Sequence, residues 1–157
     1  MARPVVQLTA DRAKTAQAAL NSRDRNKIAE YWDAEFRFLV PGNHPYAGWC
    51  EGLENFISFR DKLVELSGGS IRMDLISVLI NETDGYSIDM NHCHATRAGA
   101  QACSTSLYDR IQFDGLDAFK WENGKIVEGY AAIFGDGMTN FNLFLSPVGS
   151  DGHRRDP

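Results

Sequence analysis

Cysteine is scarce in this sequence, and its spacing argues against a disulfide framework. The three cysteines, Cys50, Cys93 and Cys103, form an odd set without a CxxC pair. Disulfide frameworks are typical of small secreted domains with even sets of cysteines. We therefore expect reduced thiols in a cytoplasmic protein, with a Cys93–Cys103 link as the alternative.

Long apolar runs and an excess of basic charge are also lacking. No apolar stretch approaches the roughly 20 residues that a membrane-spanning helix needs, and the apolar run within residues 1–14 is too short for a signal peptide. Sixteen Lys and Arg residues against 21 Asp and Glu residues give a net charge of −5, which argues against a nucleic-acid partner. A glycine-rich phosphate-binding loop is absent as well. We expect no membrane partner, no nucleic acid and no cofactor.

What is present is typical of one globular domain. The 157 residues are 43% hydrophobic and 24% charged, and a chain of this length can bury roughly 70% of its unfolded surface. The sequence contains no internal repeat and no low-complexity linker. We expect a single domain over residues 1–146 and a disordered tail over residues 147–157.

Helical periodicity occupies the first part of the chain. Residues 9–21 are rich in helix formers and begin with Thr9, a good N-cap. Asp24 can cap a second, short helix over residues 25–32. Residues 52–66 place apolar side chains at helical spacing before a Ser-Gly-Gly sequence ends the helix.

Strand patterns dominate the second part of the chain. After an extended run at residues 35–40, the predicted strands cover residues 70–80, 85–96, 113–121 and 125–134. Helices first and consecutive strands later indicate an α+β fold, with helices packed on one face of a curved antiparallel sheet. A helix laid across such a sheet leaves a cone-shaped hollow, which is the natural place for a ligand.

The sequence "LDAFKW", residues 116–121, aims a carboxylate at an apolar face. In a strand, Asp117 shares its face with Phe119 and Trp121. A charge there is costly unless it is paired, hydrogen-bonded or protonated. Asp117 is therefore a candidate catalytic group, either protonated and donating to a substrate oxygen or ionised and acting as a base. The alternative is a structural acid bonded to a helix end or to a dimer partner.

Three local patterns and the order of elements resemble the nuclear transport factor 2-like superfamily, particularly its SnoaL-like polyketide cyclase branch. The patterns are "VPGNHPYAGWCEGLENFISF", "FDGLDAFKWENGKIVEGY" and "AAIFGD". Together they cover most of residues 10–145. The resemblance implies a cone-shaped α+β barrel, a hydrophobic small-molecule substrate and a homodimer built through the outer face of the sheet.

The resemblance also bears on the chemistry. Asp117 falls where the related ketosteroid isomerases carry an oxyanion-hole aspartic acid. Their base and their tyrosine donor would fall near Val40 and Ala16, which cannot do that work. The carboxylate and arginine positions of the related limonene-epoxide hydrolases hold Asn91, Cys93 and Ala132. The resemblance therefore disfavours a steroid-type isomerase and that hydrolytic array.

By the same analogy, the second long strand turns Asp89, Asn91 and Cys93 toward the pocket and turns His92 and His94 away. Asn91 is then a candidate catalytic residue, and Cys93 a candidate substrate contact that lacks the basic neighbour a nucleophile needs. One β-bulge would reverse the two faces. His94 is therefore kept as a candidate general acid or base. The two histidines lack a third ligand, and we expect no metal.

Tyr130 is the remaining candidate catalytic residue, because relatives carry a large aromatic side chain near this point of the last strand. An extra residue in that strand indicates a bulge, which leaves the face of Glu128 open. The aromatic candidates for substrate contact, with ordinary core packing as the alternative, are Phe56, Phe119, Trp121 and Phe134.

The leading hypothesis is a cofactor-independent cyclase or isomerase of a hydrophobic, polyketide-like small molecule in natural-product, for example antibiotic, biosynthesis. The hollow would fold a flexible substrate into a reactive conformer, while Asp117, Asn91 and Tyr130 would polarise a carbonyl or stabilise an enolate. One alternative is a non-catalytic small-molecule-binding or assembly module of the same fold. Another is an epoxide hydrolase or ring-opening cyclase, which would need Asp89 or Asp136 turned inward.

Overall fold

The computed structural model describes residues 6–146, in which four helices accompany one six-stranded sheet. The helices are α1 (Ala10–Ser22), α2 (Arg25–Tyr31), α3 (Leu53–Leu66) and α4 (Gly137–Leu145). The strands are β1 (Trp32–Val40), β2 (Gly48–Glu51), β3 (Arg72–Asn81), β4 (Tyr86–Thr96), β5 (Arg110–Glu122) and β6 (Lys125–Ile133). None of these helices is long and apolar enough to cross a lipid bilayer. The predicted tail lies outside the described residues, so the proposed domain limit stays a prediction.

The two predicted helix caps are confirmed. Thr9 Oγ1 accepts a hydrogen bond from the backbone N–H of Arg12 at 3.1 Å. Asp24 Oδ1 accepts hydrogen bonds from the backbone N–H groups of Asn26 and Lys27. Each cap satisfies backbone donors that the first helical turn leaves without a partner. The caps therefore fix where α1 and α2 begin, and with them the course of the chain into β1.

The α+β class is confirmed, but the sheet is mixed rather than purely antiparallel. Its strand order is β2-β1-β6-β5-β4-β3. β1 pairs with β6 in parallel, whereas the other neighbouring strands are antiparallel. The sequence did not predict β2, because four residues are too short to display an alternating pattern. β2 and β3 are free edges, so the sheet curves without closing.

The inner face of the sheet is the one that carries the helices, and β4 shows it most clearly. Its burial alternates at every residue, and its buried side chains are Ser87, Asp89, Asn91, Cys93 and Ala95. The predicted orientation of β4 is thus confirmed, with both histidines on the outer face. β4 pairs with β5 without a register shift, so the same face continues across β5. A single continuous surface results, along which inner side chains of neighbouring strands lie side by side.

An aromatic cluster fills one end of the inner face. Five rings from β1, α3 and β5 form it, with centroids of contacting pairs between 4.7 and 6.5 Å apart: Trp32, Phe36, Phe38, Phe56 and Phe119. Gly129 of β6 makes room for it. A Cβ atom at Gly129 would lie 2.7 Å from Phe38 and 2.9 Å from Phe119. The cluster joins α3 to the sheet and fills one end of the space between the helices and the inner face, which we call the hollow.

Candidate functional site

Two carboxylic acids lie directly opposite each other on the inner face. Asp89 of β4 is the register partner of Asp117 of β5, and side chains opposed in this way have Cβ atoms roughly 5 Å apart. Asp89 is only 3% exposed. Asp117 is surrounded by protein, although the residue as a whole is only half-buried. We call these two residues the carboxyl pair.

Burial shifts the titration of both members of the carboxyl pair. It raises the pKa of Asp89 to about 6, and a hydrogen bond from the Gln17 side chain partly offsets the rise. It raises the pKa of Asp117 to about 7, and the neighbouring Asp89 carboxylate adds to this rise while Arg60 opposes it. Two acids this close lose their protons in coupled steps. Between about pH 6 and 7 the pair therefore holds about one proton, which makes one member an acid and the other a base.

Polar groups around the carboxyl pair leave one oxygen open. Asn91, also on the inner face of β4, donates from Nδ2 to Asp117 Oδ2 at 3.4 Å and to the backbone oxygen of Asp89 at 3.2 Å. Asp89 Oδ1 is buried and has no hydrogen-bond partner within residues 6–146. A buried acceptor without a partner is costly. Asp89 is therefore held in surroundings that do not favour its ionised form.

The helices supply a second polar layer that the sequence analysis missed. Arg60 of α3 lies on the same stripe as the buried Phe56, one turn further along the helix. Gln17 of α1 lies among the buried Ala13, Ala16 and Leu20 and reaches the Asp89 carboxyl. In both helices the signal was a polar residue interrupting an apolar stripe. That signal is weak, because a long polar side chain on an apolar stripe often bends outward and keeps its polar end in solvent.

The helices leave the inner face of the sheet uncovered along its β3 edge. Met73 and Leu75 are the register partners of Cys93 and Asn91 and therefore point to the inner face. They are nevertheless 50% and 44% exposed, so the helices leave this part of the inner face uncovered. An apolar molecule entering over these side chains would meet Asn91 and then Asp117. The opening thus combines an apolar rim with a polar interior, as small-molecule sites commonly do.

Sequence comparisons match no protein-family model and no curated protein, whereas solved structures share the fold. The protein Bal32a from a soil-derived mobile gene cassette superposes with a TM-score of 0.72 at 23% identity, over 87% of this chain and 95% of that one. A cystatin-like-fold protein of unknown function from Xanthomonas campestris gives 0.66 at 20% identity, over 86% and 95%. A candidate SnoaL-like polyketide cyclase from Jannaschia sp. CCS1 gives 0.63 at 14% identity, over 94% and 99%.

The chain has the nuclear transport factor 2-like fold. Proteins designated NTF2-like from Burkholderia xenovorans and Anabaena variabilis superpose with TM-scores of 0.63 and 0.60, at 12% and 17% identity. The first covers 84% of this chain and 93% of its own, and the second 85% and 98%. At these identities the likeness concerns the fold. The resemblance seen in the sequence is confirmed at that level.

Within this nuclear transport factor 2-like fold, three predicted site residues do not lie at the carboxyl pair. A register shift at Lys120 and Trp121 confirms the expected bulge, and it places Glu128 and Tyr130 on the outer face. There the Tyr130 hydroxyl donates to Glu128, and its ring packs edge-on against Trp49. The inward placement of Tyr130 is therefore wrong.

His94 and Phe134 need the same correction. His94 lies on the outer face of β4, where its Nε2 is 2.9 Å from Asp74 Oδ2, because no bulge reverses the face. Phe134 follows the end of β6 and is 46% exposed. Neither side chain reaches the hollow, so neither can contact a substrate bound at the carboxyl pair.

The other predicted contacts lie on the inner face, but at different distances from the carboxyl pair. Cys93 is buried next to Asn91, and burial raises the pKa of its thiol to about 12, with smaller contributions from Asp117 and Asp74. A neutral thiol can line a pocket and is a poor nucleophile. All three cysteines are free, so the alternative Cys93–Cys103 link is absent. Phe56, Phe119 and Trp121 belong to the core, and Trp121 Nε1 donates to Ser87 at 2.9 Å.

Two clefts of the fold lie away from the carboxyl pair. One of about 260 Å³ is at the narrow end, beside Trp121 and Arg12. The other, about 520 Å³, is on the outer face around His92 and His94. Neither contains both an acid of raised pKa and an acceptor without a partner. Across residues 6–146, no cluster of three or more His, Cys, Asp or Glu side chains is suited to hold a metal ion.

The raised pKa of Asp117 predicts a specific dependence of stability on pH. The unfolded chain releases this proton near pH 3.8, whereas the folded protein keeps it until about pH 7. The folded state therefore binds more protons in this window, and the free energy of unfolding must fall as the pH rises through it. We expect Asp117→Asn to show a smaller fall and to be more stable than the wild type at pH 8 by up to about 4 kcal/mol, measured by urea denaturation.

The control for this measurement is Glu35→Gln, which removes an exposed acid of β1 that lies in no ion pair of the described residues. It should follow the wild-type pH dependence. An Asp117→Asn variant that loses stability between pH 5 and 8 as steeply as the wild type would show that Asp117 titrates normally.

Proposed function

We propose that the protein is a cofactor-independent enzyme that moves protons on an apolar, carbonyl-containing small molecule, as an isomerase or cyclase. The observation that carries this proposal is the carboxyl pair, two facing acids with raised pKa values on the inner face of the sheet. A proton shared by two such groups lets one accept while the other donates. The apolar rim at Met73 and Leu75 supports a hydrophobic substrate.

The reaction can be written with all protons assigned. The ionised member of the carboxyl pair takes a proton from the carbon next to the carbonyl group. The protonated member, helped by Asn91, donates a hydrogen bond to the carbonyl oxygen and stabilises the enolate. If the ketone carries a carbon–carbon double bond between its β and γ carbons, return of the proton to the γ carbon moves that double bond into conjugation with the carbonyl group, which is an isomerisation. Attack of the enolate carbon on a second carbonyl forms a ring, and the resulting alkoxide takes a proton from the acid.

A polyketide-like substrate is the more specific form of this proposal. Polyketones carry several carbonyl groups on an otherwise apolar chain, so they suit an apolar opening that leads to an acid–base pair. The likeness to a candidate SnoaL-like polyketide cyclase supports this substrate class. A role in natural-product biosynthesis, a cytoplasmic location and a homodimer through the outer face of the sheet belong to the same proposal and stay predictions.

The proposal predicts catalysed hydrogen exchange next to a ketone. In deuterated water the wild type should accelerate exchange of the α-protons of 2-tetralone, an apolar ketone, followed by proton NMR. The rate should be highest between about pH 6 and 7, because Asp89 gains a proton below this range and Asp117 loses one above it. Asp89→Asn and Asp117→Asn should each lower the rate by about 100-fold or more.

Asp114→Asn is the matched control for the exchange reaction, since it removes an acid from the outer face of β5. Its exchange rate should equal that of the wild type. Equal rates in Asp89→Asn, Asp117→Asn and the wild type would contradict the acid–base role. Stoichiometric binding of the ketone without any acceleration would favour the non-catalytic binding module.

The inward position of Asp89 favours epoxide hydrolysis as a second candidate function. That alternative requires an inward carboxylate, which would take the proton of the attacking water molecule. A hydrolase should convert styrene oxide into a diol that carries one oxygen-18 atom from labelled water, detected by mass spectrometry, and Asp89→Asn should abolish this. An isomerase or cyclase should give no catalysed incorporation.

A further inference from the structure

Arg60 is the one basic residue that the structure brings over the carboxyl pair within residues 6–146. Phe56 and Phe119 both contact Phe38 in the aromatic cluster, with ring centroids at 4.7 and 6.3 Å. Arg60 lies one helical turn beyond Phe56, and Asp117 one same-face step beyond Phe119. Arg60 and Asp117 are therefore each one step away from the same aromatic cluster, Arg60 along α3 and Asp117 along β5.

The step from Phe56 to Arg60 along α3 and the step from Phe119 to Asp117 along β5 run in the same direction. The backbone N–H of Ala98 donates to the carbonyl oxygen of Leu66 at 2.9 Å, which ties the end of α3 to the loop after β4. Thr96, at the end of β4, is the register partner of Arg110, at the start of β5. The end of α3 therefore lies near the start of β5. Moving from the aromatic cluster toward that end brings Arg60 on α3 and Asp117 on β5 to face each other across the hollow.

The Arg60 guanidinium has donors to spare. Its Nη2 donates to Asn21 Oδ1 at 2.6 Å, whereas a guanidinium carries five N–H donors in all. No carboxylate of the described residues lies within 4.0 Å of it, although Asp117 and Asp61 attract it from further away. A half-buried cation held by one neutral amide is ready to bind an oxygen anion.

We propose that Arg60, oriented by Asn21, is the subsite for an anionic oxygen group of the substrate, a carboxylate or an ionised enol. This inference rests on the proposed function, because it places the anion on the helix side and the reacting carbon toward the carboxyl pair. It narrows the proposed substrate class from apolar carbonyl compounds in general to those that also carry an anionic oxygen group. Arg60 is suited to this role because the planar fork of arginine matches two oxygen atoms at once.

The test compares two unreactive ligands of similar shape, 2-naphthoate and 2-naphthalenemethanol, by titration calorimetry at pH 7. The wild type should bind the carboxylate at least about tenfold more tightly than the alcohol, as expected for a hydrogen bond to a charged group. Arg60→Gln should remove this preference and leave binding of the alcohol unchanged. Arg60→Lys should keep part of it, since it retains the charge and loses the fork.

Lys62→Gln is the matched control, because it removes the same charge two residues further along α3 from a side chain that pairs with Glu65. It should keep the wild-type preference. If the wild type binds both ligands equally, or if Lys62→Gln lowers the preference as much as Arg60→Gln, the subsite is overturned. The comparison of the two ligands on the wild type needs no variant. It can therefore overturn the proposal even if Arg60→Gln does not fold.

Failure of this inference is distinguishable from failure of the proposed function. Exchange at 2-tetralone tests the carboxyl pair and involves no anionic ligand. Loss of the carboxylate preference with intact exchange would overturn Arg60 as a subsite alone. A strong preference without any catalysed exchange would leave the anion subsite standing in a binding module.

Discussion

The confinement of two carboxylic acids to neighbouring inner positions of the sheet is the constraint on which the site depends. The register of β4 and β5 places Asp89 beside Asp117, and the helices prevent water from fully hydrating either group. Two ionised carboxylates cannot be held there cheaply. The pair therefore keeps a proton near neutral pH, and a shared proton is what an acid–base site requires. Arg60 and Gln17 on the helices moderate this arrangement without removing it.

The rest of the fold supplies the stability that offsets the free-energy cost of burying two acids. The aromatic cluster joins α3 to β1 and β5 through closely packed rings, and burial of such side chains contributes much of the stability of a domain. Gly129 and the bulge in β6 adjust the sheet around the cluster. The carboxyl pair begins one same-face step from Phe119, and beyond it Cys93, Ala95 and Ile111 are again buried in the core. The acids therefore lie within the apolar core, whose packing offsets the cost of leaving them incompletely paired.

The fold was largely predictable from the sequence, and the site was predictable in part. Strong periodicity indicated α1, α2, α3 and most of the long strands, whereas α4 was not predicted. Alternation aimed Asp117 at the apolar face of its strand, and the resemblance to the family placed Asn91 inward. The bulge was expected, but its effect on Tyr130 depends on pairing with β5 and β1, which no local pattern contains. Arg60 was missed because its role depends on a crossing between α3 and the sheet that only the folded chain brings about. The sequence analogy placed Asp89 in the pocket, but its position opposite Asp117 depends on the register between β4 and β5, which the sequence alone did not show.

Direct titration of the two acids by carbon-13 NMR, with the aspartate carboxyl carbons labelled, tests the account at its centre. We expect that two of the labelled carbons titrate above about pH 5.5, that they belong to Asp89 and Asp117, and that replacing Asp89 by asparagine lowers the pKa of Asp117. Titration of both carboxyl groups near the ordinary value of 3.8, each unaffected by replacement of its neighbour, would contradict it.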